Sequence, residues 1–416
     1  MATTTFAPMA KIEARALGMA KIPLFTVPHP LDKMTTDQIK HNVAAITKGI
    51  VESLQHNTKN PAAEADTPVE TVDVKEIKTE EKAYDYFLAH GYTDGLPIIA
   101  PEPDIVRDFL DKAGFQRDIL IGHIPPLMGE ATVEKIAINA VMAGCLPEYL
   151  GVIITAIEAM LEEPFNLYGV QATTNPVTPM LVLSGPVATR LGVNGGIGAF
   201  GPGWRSNATI GRAIRLCLLN IGGGRPGQED RATHGMPGKF TFCFAENVGE
   251  NPWAPLNVDL GYDMNTSTVT VIGATGSLNI IDQGSQTGEG LLKSFVSAMS
   301  LVGTNNIYFG GDPVLVLSPE HAHTLAEDGF DKRKIRNYLW THAVVPLTEF
   351  SQSNVENILK KRRPHLFSSG VPVTIPIADK SDDIIILVVG GPGKHSVFIP
   401  TFGVNRSVSK VLKLGF

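Results

Sequence analysis

The sequence predicts an α/β protein: a small, incomplete N-terminal α/β unit, then a large α/β domain with mixed sheets whose two halves echo one another. Three observations carry this. Stretches of helical period alternate with short oily runs bounded by glycine or proline. Residues 1–55 offer one clear strand and two helices, too little to cover both faces of a sheet. The run "PMLVLSGPVATRLGV", from Pro179, returns as "PVLVLSPEHAHTLAEDGF", from Pro313, each oily strand set between prolines. Two such halves would enclose a cleft, a favoured place for ligands, although two similar buried strands also arise by chance.

In order, "TFAPMAKIEARALGM" reads as a helix and "KIPLFTVPHP" as a strand entering a loop. Next comes an amphipathic helix capped by Thr35 or Thr36, with Ile39, Val43, Ile46, Ile50 and Leu54 three and four apart. Residues 56–82 are polar and read as a linker. The large domain, 83–416, carries the catalysis or the ligand binding. Its elements include two back-to-back helices around Cys145, expected strands in "NLYGVQATT" and "PMLVLSG", and a helix in "SNATIGRAIRLCLLNIGGG" capped by Ser206 or Asn207. Further strands are expected in "GKFTFCFAEN", "STVTVIGA" and "DDIIILVV".

Composition narrows the function. The chain has 416 residues, 43% hydrophobic and 19% charged, which suits large buried cores. A net charge of -7 gives no basic field for nucleic acid or anionic membranes. Three cysteines without a C-x-x-C spacing argue against a disulfide framework and for a reducing, cytoplasmic setting. No run approaches the ~18 apolar residues of a membrane span, and charges sit where a signal peptide needs an oily core. No metal motif emerges, and no cofactor can be named.

Several stretches have the composition of sites. Cys145 lies between Gly144 and Pro147, near the start of a helix whose amide donors favour a thiolate. The alternative is an inert thiol at a tight corner. Cys217 falls on a core stripe, and Cys243 alternates with phenylalanines on a strand. The loop "GVNGGIGAFGPGWRSN" suits an anion: Gly201 and Gly203 free the backbone, Ser206 and Asn207 open the helix, and Arg205 can clamp a carboxylate or phosphate. Between Gly222 and Asn247, Arg225, Asp230, Arg231, His234, Lys239, Glu246 and Asn247 crowd together. There His234 is a candidate acid/base and Glu246 its orienter. Lys394, His395 and Ser396 follow glycines 390, 391 and 393 as a second anion cradle, or a plain turn.

"TFAPMAKIEARALGM" and "IPLFTVPHPL" resemble the downstream half of the UGSC-type (seleno)protein family. The later stretches "AVMAGCLPEYL", "GVQATTNPVTP", "FGPGWRSNATIGRA", "ATHGMPGKFTFCFAEN" and "GGPGKHSVFIPTFG" resemble a region found with it, so the likeness runs over nearly the whole chain. The resemblance implies thiol or selenol chemistry in an intracellular enzyme. The U/C-G-S-C motif itself is absent, so either the chain is truncated or a partner subunit supplies the missing half-domain and its thiol. The first expectation is therefore an oligomeric enzyme acting on a small anionic organic molecule, with Cys145 as nucleophile or redox thiol and lyase, hydrolase and reductase chemistry all open. The alternatives are a thiol-independent hydratase or isomerase using His234 and Glu246, and a non-catalytic ligand-binding subunit.

Overall fold

A computed structural model describes residues 82–413 throughout, and residues 2–7, 10, 11, 14, 19, 22–29, 34–56 and 76 before them. The expected linker lies outside the described residues except for 56, 76 and 82, and the first expected helix lies mostly outside them. At the N-terminus, β1 (Ala2–Thr3) pairs in parallel with β2 (Thr26–Val27). Helix α1 (Thr36–His56) follows. Thr35 is its cap: Gln38 N–H donates to Thr35 Oγ1, and Thr35 N–H donates back to Gln38 Oε1. This unit is small and incomplete, and Ile39, Val43 and Ile50 on α1 remain exposed.

The large region opens with helices α2 (Ala83–Ala89) and α3 (Pro103–Ala113), then a hairpin of β3 (Leu120–Ile124) and β4 (Gly129–Thr132). Helices α4 (Val133–Ala143) and α5 (Leu150–Met160) lead to β5 (Thr178–Ser184). Thr132 caps α4 through the Lys135 amide, and Gly144 ends it at φ 86°. Helix α6 (Arg205–Asn220), β6 (Cys243–Ala245) and β7 (Thr268–Ala274) complete the first half. The second half contains β8 (Leu278–Ile281), α7 (Gly288–Met299), β9 (Val314–Leu317), α8 (Pro319–Glu327) and α9 (Lys332–His342). It continues through a pair of β10 (Val344–Pro346) and β11 (Thr374–Pro376) to β12 (Ile385–Val388), β13 (His395–Ile399) and β14 (Val408–Val411).

Two four-stranded sheets form, ordered β6-β5-β7-β14 and β12-β9-β13-β8. Their plans are identical. A central strand has one parallel and one antiparallel neighbour, and the last strand is antiparallel to the latter. The register agrees position by position. Leu181 lies opposite Cys243 and Val271, and Leu315 opposite Ile386 and Phe398. The echo between the oily runs at Pro179 and Pro313 is thus a structural repeat.

The halves also exchange their last strands. After β7 the chain crosses into the second sheet as β8, and after β13 it crosses back as β14. The crossings lie side by side, with Thr275 N–H donating to Pro400 O and Phe402 N–H to Gly273 O, both at 2.8 Å. Buried Asn306 pins one of them, taking the Thr401 N–H on Oδ1 and donating from Nδ2 to Thr401 Oγ1.

Strand alternation then builds four layers. Met180, Val182 and Phe244 meet Val314, Val316 and Leu387 between the sheets. Leu181, Leu183 and Val271 face the helices of the first half, and Leu315, Leu317 and Phe398 those of the second. The result is a helix–sheet–sheet–helix sandwich. One expected strand is corrected: "NLYGVQATT" contains a short helix, Leu167–Gln171. Asn166, at φ 51°, caps it by accepting the Gly169 amide, and Leu167, Val170 and Gln171 bury one helical face.

Candidate functional site

Helix α6 turns Ile210, Ile214, Cys217 and Leu218 into the core. Its outward arginines, three apart, anchor a cluster at the amino end of β5. Arg212 grips Asp94 through Nε and Nη2, both at 2.8 Å, and Nη2 also reaches Leu96 O. Burial alone would raise the Asp94 pKa, but the Arg212 bonds outweigh it and hold the carboxyl below its usual value. Arg215 donates from Nε to Lys239 O at 2.8 Å and from Nη2 to Thr178 Oγ1 at 3.0 Å. Lys239 Nζ lies 2.5 Å from Oδ2 of buried Asp230, whose Oδ1 accepts the Ala232 amide. Desolvation, opposed by Asp230 and reinforced by the Arg215 charge, lowers the Lys239 pKa.

Thr178, Pro179, Gly211, Arg215, Gly238 and Lys239 line a narrow crevice without room for a water molecule. Two carboxylates face three cations here. Asp94 takes Arg212 and Asp230 takes Lys239, while both hydrogen-bond acceptors of Arg215 are neutral. Arg225 adds a further cation nearby, its guanidinium carbon 5.7 Å from the Tyr92 ring centre. Its buried Nε has no hydrogen-bond partner among the described residues.

His234 belongs to this end of the molecule. Its neighbour Thr233 donates its N–H to Thr174 O, and a Cβ on Gly235 would lie 3.8 Å from Lys239 Cδ. His234 itself is exposed. Glu246 sits at the opposite end of the sheet. Ala245 pairs with Leu183, and the five steps from Thr178 to Leu183 span about 16 Å. Glu246 therefore does not orient His234. Its buried carboxylate takes the Leu256 amide at 2.6 Å, and burial raises its pKa.

The first glycine loop is organised differently from its expectation. Helix α6 begins at Arg205, so neither Ser206 nor Asn207 is its cap. Both turn inward instead. Ser206 Oγ donates to Gly192 O at 2.7 Å, and Asn207 Nδ2 donates to Asn194 O and Ala199 O. Arg205 Nε donates to Gly144 O, closing the end of α4. Gly201 and Gly203 lie exposed on the loop.

The two glycine loops touch. Gly390 N–H donates to Gly195 O at 2.8 Å, Asn247 Nδ2 donates to Gly390 O, and a Cβ on Gly391 would strike Ile197. Close approach accounts for that glycine. Lys394 Nζ reaches Gln283 O, and His395 pairs with Asn279. Ser396 is buried, 2.8 Å from His321 Nδ1, and accepts the Ser318 N–H. His321 Nε2 lies 3.0 Å from Asp282 O. Lys394, His395 and Ser396 thus stand apart from the Arg215 cleft.

Cys145 is buried and donates to Thr209 O at 3.2 Å. Burial pushes its thiol up to about 12, against the hydrogen bond and the charges of Arg205 and Arg212. It is a protonated thiol at neutral pH. Cys217 and Cys243 are buried too, and desolvation raises both. The residues that sequence reading missed are Arg212, Arg215 and Thr178. Two arginines three apart, Arg212 and Arg215, amid the apolar stripe of Ile210, Ile214, Cys217 and Leu218 were the available signal.

The fold is that of a four-layer α/β protein, with a cluster of basic side chains at one end of its first sheet. A model of the UGSC family matches residues 1–56. A search of the curated proteins found no match. No helix among the described residues is long and apolar enough to cross a membrane.

Proposed function

We propose that this chain is an enzyme acting on a small anionic organic molecule, with the anion seated at Arg215 beside Lys239. The observation that carries the reading is Arg215, a partly buried arginine whose hydrogen-bond acceptors are both neutral although Arg212 and Lys239 close by each hold a carboxylate. Such a group sits between two cations that already hold carboxylates, so an arriving anion neutralises it without displacing a protein partner. His234, exposed on the loop that leads to Lys239, supplies acid/base chemistry, and the reaction does not pass through Cys145, whose thiol is buried and protonated.

Two further parts belong to this reading. A reducing, cytoplasmic setting suits three free, buried cysteines. A second chain covers the N-terminal unit, because two-residue parallel strands and the exposed stripe on α1 are too little to stand alone.

Calorimetry with pyruvate and with inorganic phosphate tests the anion site. Arg215→Met should weaken binding about tenfold or more, equivalent to about 1.4 kcal/mol. Arg215→Lys should restore part of it. Unchanged affinity in a folded Arg215→Met protein would refute the reading.

A further inference from the structure

Each four-stranded sheet has two edges, and the chain supplies a partner to three of the four. At β6 the Ala245 N–H donates to Asn194 O of the first glycine loop, and at β12 Val388 O accepts the Asn247 N–H. At β14 Ser409 O accepts the Tyr262 hydroxyl. The fourth edge, β8, differs. It pairs with β13 on one side, and Asp282 N–H donates to Lys394 O just beyond it. The two-residue repeat of an antiparallel ladder then turns the amides and carbonyls of Leu278 and Ile280 toward β13 and those of Asn279 and Ile281 outward. These outward groups have no hydrogen-bond partner among the described residues. The side chains are open as well: Leu278 is 39% and Ile281 56% exposed, and Asn279 is exposed. The strand carries none of the usual guards of a free edge, neither lysine nor proline nor bulge.

We infer that β8 is a dimer interface, where the β8 of a second copy of this chain pairs antiparallel and joins the two second sheets into one. This goes beyond the anion reading and does not depend on what covers the N-terminal unit. The strand is complementary to itself. A two-fold axis at Ile280 sets Asn279 opposite Ile281 of the second copy, and Ile281 opposite its Asn279. Each such pair exchanges two N–H···O bonds, so both outward amides and both outward carbonyls of each copy are satisfied at once. Leu278–Ile281 carries no charge, so no like charges meet along the seam.

The helix layer fits the same symmetry. Ser294 Oγ donates to Asp282 Oδ2 at 2.6 Å, which holds α7 against the end of β8. Helix α7 exposes Glu289 and Lys293 one turn apart. The two-fold axis runs α7 antiparallel to its copy, so the acid of one faces toward the base of the other. A two-fold contact also closes on itself. Association stops at two chains, whereas an unguarded edge otherwise invites open-ended strand addition.

Sedimentation velocity of the full chain at micromolar concentration should give twice the chain mass. Ile281→Lys charges the seam at a side chain already 56% exposed, so circular dichroism should be unchanged. It should shift the dimer–monomer midpoint about a hundredfold or more toward monomer. The register has its own test. Asn279→Cys and Ile281→Cys, made separately, face one another only across the inferred pair, with Cα atoms about 5.5 Å apart, within disulfide reach. The native cysteines are all buried. Mild oxidation of a mixture of the two variants should give a disulfide-linked dimer in far higher yield than either variant alone. A wild-type chain that sediments as a monomer overturns the inference and leaves the edge to an extended peptide of another protein. A dimer that persists unchanged in Ile281→Lys, or that yields no mixed disulfide, uses another face and overturns it as well. If Ile281→Lys fails to fold, the mixed disulfide decides alone.

Discussion

Asn207 holds Asn194 with both ends of its side-chain amide: Oδ1 accepts the Asn194 N–H at 2.8 Å and Nδ2 donates to the Asn194 carbonyl at 2.9 Å. A side chain near the start of α6 thereby completes the pairing of a glycine loop that has no strand of its own. A third bond, to Ala199 O, uses the remaining donor. Asn207→Ala should cost about 3 kcal/mol in urea unfolding, since buried backbone groups lose their partners. Asn207→Asp sets a buried carboxylate oxygen against the Asn194 and Ala199 carbonyls and should cost at least as much. A loss within error for the alanine variant would show that the loop is held by other contacts.

Asp94 gives a pH signature. Its folded pKa lies below the ordinary value of 3.8, so its contribution is fully present above that pH and is lost as the pH falls through the folded value. Asp94→Asn should cost about 3 kcal/mol at neutral pH, because it leaves Arg212 without its carboxylate. The gap between wild type and variant should then close in acid, below pH 3.8. A gap independent of pH would place the effect in packing instead of charge.

Cys145 should resist chemistry. Iodoacetamide at neutral pH should leave it unlabelled in the folded protein and label it fully in guanidinium chloride, because thiolate is scarce and the sulfur is covered. Cys145→Ala should cost about 1 kcal/mol through the lost bond to Thr209 O. Rapid native labelling would contradict the burial and restore the thiol to the list of reactive groups.

Strand exchange predicts cooperative unfolding. Each sheet contains a strand delivered by the other half, and Asn306 and the paired crossings tie the two together. Far-ultraviolet circular dichroism and tryptophan fluorescence should therefore report one coincident transition, although chains this long often unfold in steps. Trp253 and Trp340 report the second half, and Trp204 the first. Two separated transitions would show that the halves are stable without the exchanged strands.

Much of the architecture was legible in local pattern. Apolar spacing marked α6, glycine marked the end of α4, Thr35 marked the start of α1, and the oily runs at Pro179 and Pro313 marked the two central strands. These features depend on neighbours within a turn or on strand alternation, which the chain order displays directly. The polar crowd at Gly222–Asn247 was visible as a group, but not its division: Lys239 and His234 go to one end of the sheet, Glu246 and Asn247 to the other. Arg212 and Arg215 take their roles only from Asp94, 118 residues from Arg212 in sequence, and Thr178, 37 from Arg215, which the fold brings against them. Cys145 sits near a helix start as its sequence suggests, yet its protonation follows from burial in the core, which outweighs the hydrogen bond to Thr209, 64 residues away. Short-range pattern sets which elements form. Burial, pairing across sheets and the exchange of β8 and β14 set which side chains meet, because those contacts join residues far apart in the chain.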